Sequence, residues 1–377
     1  MNVYKEKYPV LALTGPRQSG KTTLLKTLFA DYTYVSLENP DVQHFAETDP
    51  NGFIRQYPDK VIFDEVQQVP SLFRYIQTQV DMTGNMGQYI LSGSQNFHLI
   101  ESITQSLAGR VALFKLLPFD MPELQSGGLL PDDFTTLLIK GCYPAIYDRD
   151  IPPKVFFANY LQTYVERDVT SLLNIREIKL FRNFLSLCAT RAGQLLNLNA
   201  LANECGISQP TAKSWLTLLE SSYVLFTLQP YHNNLSKRIV KTPKLFFYDT
   251  GLLAFLLKLN DPKRLNTHPA KGMLFENLIV SELVKQNHHH YLQRELWFWR
   301  DSAGHEVDLL IENNDQLDVY EIKATSTVMP DLFKGLNYFS NLAGDLVANK
   351  YLIYGGTETQ NRSYGQVIPW NKLDLNR

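Results

Sequence analysis

The chain has few cysteines and no long apolar run, and both absences limit the class of protein to which it can belong. Its 377 residues include three cysteines, Cys142, Cys188 and Cys205, which are far apart and odd in number. This spacing argues against a disulfide framework or a cysteine-ligated metal, so we expect reduced, buried thiols in a reducing compartment. No segment approaches the roughly 20 apolar residues that a membrane-spanning helix needs. The charged N-terminus lacks the apolar core of a targeting signal, which predicts a cytoplasmic protein with no membrane contact.

The sequence also lacks a large net charge, a repeat and a low-complexity segment. Its formal net charge is −2, so contact with nucleic acid would need a local basic patch. Hydrophobic residues make up 44% and charged residues 20% of the chain, which is typical of globular proteins. The length exceeds that of one ordinary core and predicts two or three domains.

A glycine-rich loop follows a short apolar run, Val10 to Leu13, and precedes a helical pattern from Thr22 to Phe29. The loop reads Gly-Pro-Arg-Gln-Ser-Gly-Lys-Thr, and this strand–loop–helix context predicts a phosphate-binding loop for ATP. Lys21 would bind the β- and γ-phosphates and Thr22 would bind Mg²⁺. A glycine-rich surface turn is the alternative. The predicted nucleotide-binding residues of the loop are Gly15, Pro16, Arg17, Gln18, Ser19, Gly20, Lys21, Thr22 and Thr23.

Two adjacent carboxylates, Asp64 and Glu65, follow the apolar run Val61 to Phe63. Carboxylates at the end of a buried strand are costly unless they have a role there. We expect Asp64 to hold Mg²⁺ through water, and Glu65 to polarise the attacking water as a catalytic residue together with Lys21. The alternative is a pair that caps a strand-to-helix turn.

Two further residues complete the predicted ATP site. Ser92, or its neighbour Ser94, ends the next strand and would sense the γ-phosphate, although serine is also common in turns. Arg110 is either an arginine finger for the nucleotide of a neighbouring subunit or a salt-bridged surface arginine.

The fold class predicted for the N-terminal part is α/β, a P-loop NTPase with a parallel sheet covered on both faces. Short apolar strands alternate there with helical patterns, and we assign residues 1–120 to this domain. The other predicted strands of this part are Tyr34 to Leu37, Tyr89 to Leu91 and Val111 to Leu117.

Residues 121–190 are predicted to be a helical connector, with helices from Val155 to Leu173 and from Leu180 to Arg191. A helix-turn-helix pattern follows, from Leu198 to Cys205 and from Gln209 to Glu220.

Ser208 can cap the second helix of this pattern. Its predicted exposed residues are Gln209, Thr211, Lys213 and Ser214, and its predicted core residues are Ala212, Trp215, Leu216 and Leu219. Together with the predicted strands Tyr223 to Gln229 and Lys244 to Tyr248, the pattern indicates a winged-helix region over residues 191–265. The second helix would read DNA or serve as a protein-docking or lid element.

The last part, residues 266–377, combines an acidic residue on a helix with acidic residues on two strands. Glu276 lies on the predicted helix Gly272 to Lys285, Asp308 lies on a strand, and Glu321 and Lys323 share one face of the next strand. Such a set can hold Mg²⁺ against a phosphodiester, with Asp308 and Glu321 as metal ligands assisted by Glu276 and Lys323. An exposed Glu–Lys pair is the alternative. The order resembles the core of the PD-(D/E)XK nuclease superfamily, which also has inactive members.

Over nearly its whole length the chain resembles the bacterial and archaeal AAA-family ATPases that carry a C-terminal domain of unknown function. The stretches that carry this resemblance are GPRQSGKTTLL, VIFDEVQQVPSLF, YILSGSQNF, SLAGRVALFKLLPF, YVERDVTSLLNI, KLFFYDTGLLAFLL and GMLFENLIVSEL. The resemblance implies a winged helix after the ATPase domain.

Three functions follow as hypotheses. The first is Mg²⁺-dependent ATP hydrolysis coupled to a DNA-binding or nuclease-like C-terminal module. The second is a non-hydrolytic nucleotide switch that docks a protein partner or self-associates. The third is a nuclease regulated by ATP.

Overall fold

The computed structural model describes residues 1–94, 106–169, 177–231 and 240–375, and for residues 166–169 it describes the backbone only. These residues form two compact units. Unit 1 comprises Met1–Pro118 and Ser221–Tyr223, and unit 2 comprises Phe119–Glu220 and Val224–Arg377. The domain boundaries drawn from the sequence at residues 120, 190 and 265 stay predictions.

Unit 1 is built on a parallel sheet of five strands among the described residues, in the order β2-β3-β4-β1-β5. The strands are β1 (Val10–Thr14), β2 (Thr33–Ser36), β3 (Val61–Asp64), β4 (Tyr89–Gly93) and β5 (Val111–Lys115). The helices are α1 (Lys21–Leu28), α2 (Pro40–Thr48), α3 (Pro50–Gln56) and α4 (Leu72–Thr83), with short 3₁₀ turns at Tyr4–Glu6 and Val66–Gln68.

The three central strands of this sheet are buried along their whole length, as the apolar runs predict. Aromatic side chains pack one face, where Phe63 lies between Phe53 and Tyr89 with ring centroids 5.5 Å apart on both sides. In a sheet that is buried on both faces, polar side chains are placed at the ends of the strands. Because the strands are parallel, the ends of β1, β3 and β4 meet at one edge, and this edge carries the site described below.

Unit 2 begins with helices and ends with a mixed sheet. Its helices are α5 (Met121–Ser126), α6 (Phe134–Lys140), α7 (Pro144–Asp148), α8 (Pro153–Tyr160), α9 (Ile178–Thr190), α10 (Leu198–Cys205), α11 (Gln209–Ser221), α12 (Thr250–Leu256), α13 (Pro262–Leu265), α14 (Lys271–His289) and α15 (Lys334–Ala343). A π-helical turn, Leu161–Val169, continues α8, and residues 170–173 of the helix predicted from Val155 to Leu173 lie outside the described residues. Short 3₁₀ turns lie at Pro330–Phe333, Gly344–Leu346 and Trp370–Lys372.

The sheet of unit 2 has eight strands among the described residues, in the order β12-β13-β11-β10-β9-β8-β6-β7. The strands are β6 (Leu225–Pro230), β7 (Lys244–Phe247), β8 (Leu296–Arg300), β9 (Glu306–Asn313), β10 (Gln316–Lys323), β11 (Val347–Tyr354), β12 (Gln360–Arg362) and β13 (Gly365–Pro369). Residues of β9 contribute to two different cores. Leu309 and Ile311 belong to the one that contains α14, and Val307 and Leu310 belong to the one that contains α15.

The two strands predicted as a wing form an antiparallel pair, β6 with β7, and β6 also pairs in parallel with β8. The pair therefore belongs to the large C-terminal sheet. That longer-range pairing is not visible in the local sequence pattern, and a winged helix stays a prediction.

The helix-turn-helix pattern is confirmed in its local structure. The backbone N–H of Thr211 donates to the Ser208 hydroxyl at 3.2 Å, which caps α11 as expected. The core residues predicted for this helix, Ala212, Trp215, Leu216 and Leu219, are buried. Of the predicted polar face, Gln209, Lys213 and Ser214 are exposed and Thr211 is half-buried.

One expectation from the composition also holds in the described part of the chain. The three cysteines are buried and unbridged. Among the described residues, no helix combines the length and the apolar character that a bilayer crossing requires.

The first residue of the glycine-rich loop provides a test of the fold at the site edge. Gly15 has φ +148°, and a Cβ atom there would overlap the carbonyl oxygen of Leu116. We predict that Gly15→Ala lowers the free energy of unfolding by about 3 kcal/mol, because strain and overlap add. The matched control is Gly84→Ala, where φ is +66° and a Cβ meets nothing described within 4 Å, so only about 1 kcal/mol is lost. Chemical denaturation of both variants measures the difference, and equal losses would contradict the overlap.

Candidate functional site

The glycine-rich loop wraps around the side chain of Lys21, the first residue of α1. Gly20 precedes the helix with φ 94°, and Gln18 also has a positive φ of 63°. The Lys21 ammonium group donates to the carbonyl oxygens of Gly15 at 2.9 Å and Pro16 at 2.8 Å. Burial of this lysine lowers its pKa to about 8, against the opposing effect of Glu65 and Asp64. This buried ammonium group is bound to neutral carbonyl oxygens of the loop, for which a phosphate group would be a stronger partner.

The Asp64 carboxylate, at the end of β3, is the centre of the site. Its Oδ2 atom accepts from the Thr22 hydroxyl at 2.8 Å and from the Tyr34 hydroxyl at 2.6 Å. Its Oδ1 atom accepts from the Ser92 hydroxyl and, at 3.1 Å, from the backbone N–H of Glu65. Asp64 is 5% exposed, and these donors offset the cost of burying its charge. Burial raises the pKa of the Tyr34 hydroxyl, and its hydrogen bond to Asp64 raises it further.

Oxygen ligands for a hard cation therefore meet at the start of α1. The Thr22 hydroxyl and the Asp64 carboxylate face each other, and both are ligand types that Mg²⁺ accepts. This donor set fits the ion that accompanies ATP.

Glu65 adopts a left-handed backbone conformation, with φ 52° and ψ 45°. Its Oε2 atom accepts from the Ser94 hydroxyl at 3.0 Å, from the Ser94 backbone N–H at 3.3 Å and from the amide group of Gln67. The side chain does not cap the turn Val66–Gln68 that follows it. The capping alternative therefore does not describe Glu65, and Ser94 contacts Glu65 whereas Ser92 contacts Asp64.

The remaining loop residues predicted to bind nucleotide lie around Lys21. The Ser19 hydroxyl donates to the carbonyl oxygen of Pro16 at 3.0 Å, and Arg17 lies 3.9 Å from the Glu38 carboxylate. Thr23 is exposed on the first turn of α1.

Arg110 precedes strand β5, whereas the phosphate-binding loop follows the parallel strand β1, so the two lie at opposite ends of the strands. Strand β5 has five residues, and its two ends are therefore roughly 15 Å apart. The Arg110 guanidinium group donates to both Asp81 carboxylate oxygens, at 2.5 and 2.9 Å. In this chain Arg110 thus forms the salt-bridged pair that was one of its two expected roles, and the arginine-finger role stays a prediction.

Sequence reasoning missed Tyr34 and Gln67 as members of this site. Tyr34 reaches Asp64 from the neighbouring strand β2, and the Lys26 ammonium group lies 3.7 Å from the centre of its ring. The signal that could have identified Tyr34 was the order of the strands, because β2 pairs directly with β3.

A second group of charged residues lies in unit 2, and it contains all four residues predicted for the nuclease-like site. The Lys323 ammonium group lies 2.6 Å from Glu321 and 3.2 Å from Asp308. Oxygen atoms of Glu276, Asp308 and a further residue, Glu306, lie within 4.8 Å of one another. We call the residues Glu276, Glu306, Asp308 and Glu321 the carboxylate cluster.

The carboxylate cluster contains an internal cation that the sequence did not reveal. The Lys244 ammonium group, from β7, lies 2.9 Å from Glu276 and 2.5 Å from Glu306. Burial, opposed by Lys244, raises the pKa of Glu276 to about 7, and burial together with Asp308 raises that of Glu321 to about 8. With Lys244 among these oxygens, the residues present do not fit the Mg²⁺ ion that a nuclease-like site implies.

The other group of described residues with ligand spacing is Asp120, Glu123 and His289. Asp120 and Glu123 cap the first turn of α5 reciprocally, and Asp120 also lies 2.8 Å from the His289 ring. The helix cap and this contact account for the arrangement.

Three protein families match consecutive parts of the chain. Residues 7–125 match an AAA domain, residues 131–263 match a domain of unknown function (DUF8612), and residues 271–373 match another domain of unknown function (DUF4143). The chain thus joins an AAA-type ATPase domain to a DUF4143 region.

Two mycobacterial relatives align with most of the chain. They are the uncharacterized proteins Mb2031c of Mycobacterium bovis and Rv2008c of Mycobacterium tuberculosis. Each is 30% identical over 359 residues, which cover 92% of this chain and 77% of the relative.

Solved structures resemble the chain more distantly. The Walker-type ATPase PABY2304 of Pyrococcus abyssi has a TM-score of 0.43 at 14% identity and covers 68% of this chain and 93% of its own. The ORC2 protein of Aeropyrum pernix, in its ADP form, has a TM-score of 0.31 at 14% identity and covers 58% of this chain and 81% of its own. At these TM-scores neither likeness bears on the function of the chain.

The hydrogen bonds to Asp64 can be tested without nucleotide by a double-mutant cycle. We predict that Asp64→Asn lowers the free energy of unfolding by about 2 kcal/mol, and that Tyr34→Phe costs about 1 kcal/mol. In the double variant the losses should not add, because Tyr34→Phe then removes a hydrogen bond that the loss of the Asp64 charge has already weakened.

The matched control is Tyr32→Phe, since the Tyr32 hydroxyl donates at 2.6 Å to the carbonyl oxygen of Gly87 and not to the site. Its loss should add to that of Asp64→Asn. Urea denaturation in EDTA measures all the variants, and additivity of Tyr34→Phe with Asp64→Asn would contradict the shared bond.

Proposed function

We propose that this chain, which belongs to the same family as the two mycobacterial proteins, binds ATP with Mg²⁺ at residues 15–22 and hydrolyses it. The match of residues 7–125 to an AAA domain supports the general class. The observation that carries the finer proposal is the contact of Thr22 with Asp64 at 2.8 Å, directly beside the buried ammonium group of Lys21. Three groups with complementary roles in phosphoryl transfer therefore meet at one end of α1.

Each of these residues has a distinct role in the proposed reaction. Lys21 binds the phosphates, for which it gives up the carbonyl oxygens of Gly15 and Pro16. Thr22 and Asp64 would hold Mg²⁺, which supplies positive charge to the phosphate oxygens. Ser92 keeps the Asp64 carboxylate in place.

Glu65 is the proposed general base for the attacking water. Its backbone N–H donates to the Asp64 carboxylate, and its own carboxylate accepts from Ser94 at the end of β4. Its contacts with Ser94 and Gln67 hold the side chain in one orientation while no nucleotide is bound. The donors from these two residues are neutral and can be exchanged for water when a nucleotide binds.

We further propose that the nucleotide cycle acts on the C-terminal region through the segment Ser221–Tyr223. This segment belongs to unit 1, although α11 and β6 on either side of it belong mainly to unit 2. The Tyr223 hydroxyl lies 2.8 Å from the Thr14 hydroxyl, one residue before the phosphate-binding loop. A movement of the phosphate-binding loop would therefore first displace the segment that links α11 to β6.

Replacement of the proposed base tests hydrolysis. We predict that Glu65→Gln keeps ATP affinity and lowers Mg²⁺-dependent phosphate release by roughly 10²- to 10⁴-fold, because an amide cannot accept the proton. The matched control is Glu47→Gln on α2, an exposed glutamate bonded to Gln43, whose rate should equal that of the wild type.

The outcomes of this assay separate the hypotheses. Equal rates in Glu65→Gln and the wild type would refute the role of Glu65. ATP binding with no phosphate release from the wild type would instead favour the non-hydrolytic switch. Adding duplex DNA tests coupling, since stimulation of the rate supports a DNA-binding role for α11.

The lowered pKa of Lys21 predicts a pH dependence of nucleotide affinity. In the free protein this pKa is about 8, and bound phosphate raises it. Below pH 8 the lysine is already charged, whereas above pH 8 it must take up a proton on binding. The dissociation constant for ATP should therefore rise above pH 8, by up to about tenfold per pH unit.

Fluorescence titrations with a labelled nucleotide at pH 7, 8 and 9 measure this dependence. The control is Lys21→Arg, which stays charged over the whole range, so its weaker binding should not change with pH. A wild-type dissociation constant that is the same at all three values would contradict the assignment.

A further inference from the structure

The carboxylate cluster of unit 2 is neutralised by side chains of the protein itself. Its four carboxylates, Glu276, Glu306, Asp308 and Glu321, contact three cationic side chains, which are Lys244, Lys323 and Arg300. Lys323 and Arg300 approach from the partly exposed side, with 37% and 39% of their side chains accessible. Lys244 differs from both, because only 3% of its side chain is accessible.

Lys244 contacts two of the three carboxylates whose oxygen atoms have ligand spacing. Its ammonium group contacts Glu276 and Glu306, which together with Asp308 form the set whose oxygens lie within 4.8 Å of one another. A divalent ion would need the same oxygens at roughly 2 to 2.6 Å. Both oxygens of Glu306 are already engaged, Oε1 by Lys244 and Oε2 by Arg300, and Oε1 of Glu276 is engaged by Lys244. A divalent ion that used these oxygens would have to displace the ammonium group.

The backbone around Lys244 is fixed on both sides. Leu196 and Gly193 donate their N–H groups to the carbonyl oxygens of Pro243 at 2.8 Å and Leu245 at 2.7 Å. At the other end of β7, the Asn277 side chain pairs with both backbone groups of Phe247, at 2.8 and 2.9 Å. Asn277 is the neighbour of Glu276 on α14. The backbone that carries Lys244 is thus fixed to α14, the helix that also carries Glu276.

One oxygen of the cluster keeps an unused ligand position. Oε2 of Glu321, a residue only 9% exposed, has no hydrogen-bond partner among the residues that the structure describes. A buried acceptor without a partner is uncommon and indicates capacity for a further cation. Removal of Lys244 would therefore leave an excess of negative charge and free oxygen ligands together.

We propose that the ammonium group of Lys244 takes the place of a divalent metal ion among Glu276, Glu306 and Asp308. The cluster then binds no metal in the native chain and gains a metal site when Lys244 is replaced. In the native chain it cross-links β7, α14 and β9. This inference concerns unit 2 and does not depend on the proposed ATPase.

The test measures Mn²⁺ binding by the full chain without nucleotide. The electron paramagnetic resonance signal of free Mn²⁺ reports how much of the ion stays unbound. In the wild type we expect no Mn²⁺ site whose affinity depends on Asp308. Lys244→Met should bind one Mn²⁺ ion per chain, and Lys244→Met/Asp308→Asn should lose roughly 10- to 100-fold in affinity.

The matched control is Arg300→Met, which also removes one positive charge from the cluster but leaves Lys244 in place. It should gain no Mn²⁺ site that depends on Asp308. If Arg300→Met binds as tightly as Lys244→Met, net charge and not the position of Lys244 governs the site, and the proposal is overturned.

Loss of a buried cation can prevent folding. If Lys244→Met folds only with Mn²⁺, as seen by circular dichroism, the proposal is supported. If it does not fold with or without the ion, Lys244→Met/Glu276→Gln restores the charge balance. That variant should bind Mn²⁺ through Glu306, Asp308 and the amide oxygen at position 276.

Two results would overturn the proposal. The first is a wild-type Mn²⁺ site that disappears in Asp308→Asn, because metal and Lys244 would then coexist. The second is a folded Lys244 variant without Mn²⁺ binding. Both readouts are independent of ATP hydrolysis, so their failure leaves the function of unit 1 untouched.

Discussion

The Asp64 carboxylate accepts hydrogen bonds from Thr22, Tyr34, Ser92 and the backbone of Glu65. These donors come from α1, β2, β4 and the turn after β3, so one buried anion connects most of the site edge of unit 1. Its charge would be costly without these partners. The parallel sheet makes the arrangement possible, because it brings the ends of β1, β3 and β4 together and leaves no other place for polar groups along these strands.

The carboxylate cluster of unit 2 also places carboxylate charge away from water, but different groups offset its cost. Asp64 is surrounded by neutral donors, which leaves its charge available to an incoming cation. In unit 2, Lys244 and Lys323 already neutralise the carboxylates. The same acidic residue types therefore favour cation binding in unit 1 and oppose it in unit 2.

Much of the proposed ATP site follows from the sequence because each of its two motifs is contiguous in the chain. The loop Gly15 to Thr22, the pair Asp64–Glu65 and the burial pattern of α11 depend on local spacing and periodicity. Tyr34 could not be assigned in this way, since its contact with Asp64 requires the pairing of β2 with β3.

Lys244 was missed for a related reason. It appeared in the sequence as the first residue of a wing strand, and nothing local connected it with Glu276 and Glu306. Its contact with them depends on the pairing of β6 with β7 and β8 and on the packing of β7 against α14. Long-range pairing of this kind leaves no periodic pattern in the chain.

The most direct test of the account is the crystal structure of the chain with Mg²⁺ and a non-hydrolysable ATP analogue. We predict that Mg²⁺ separates the Thr22 hydroxyl from the Asp64 carboxylate, now 2.8 Å apart, and that the Lys21 ammonium group leaves the carbonyl oxygens of Gly15 and Pro16 for a phosphate. A bound nucleotide that leaves both contacts intact would contradict it.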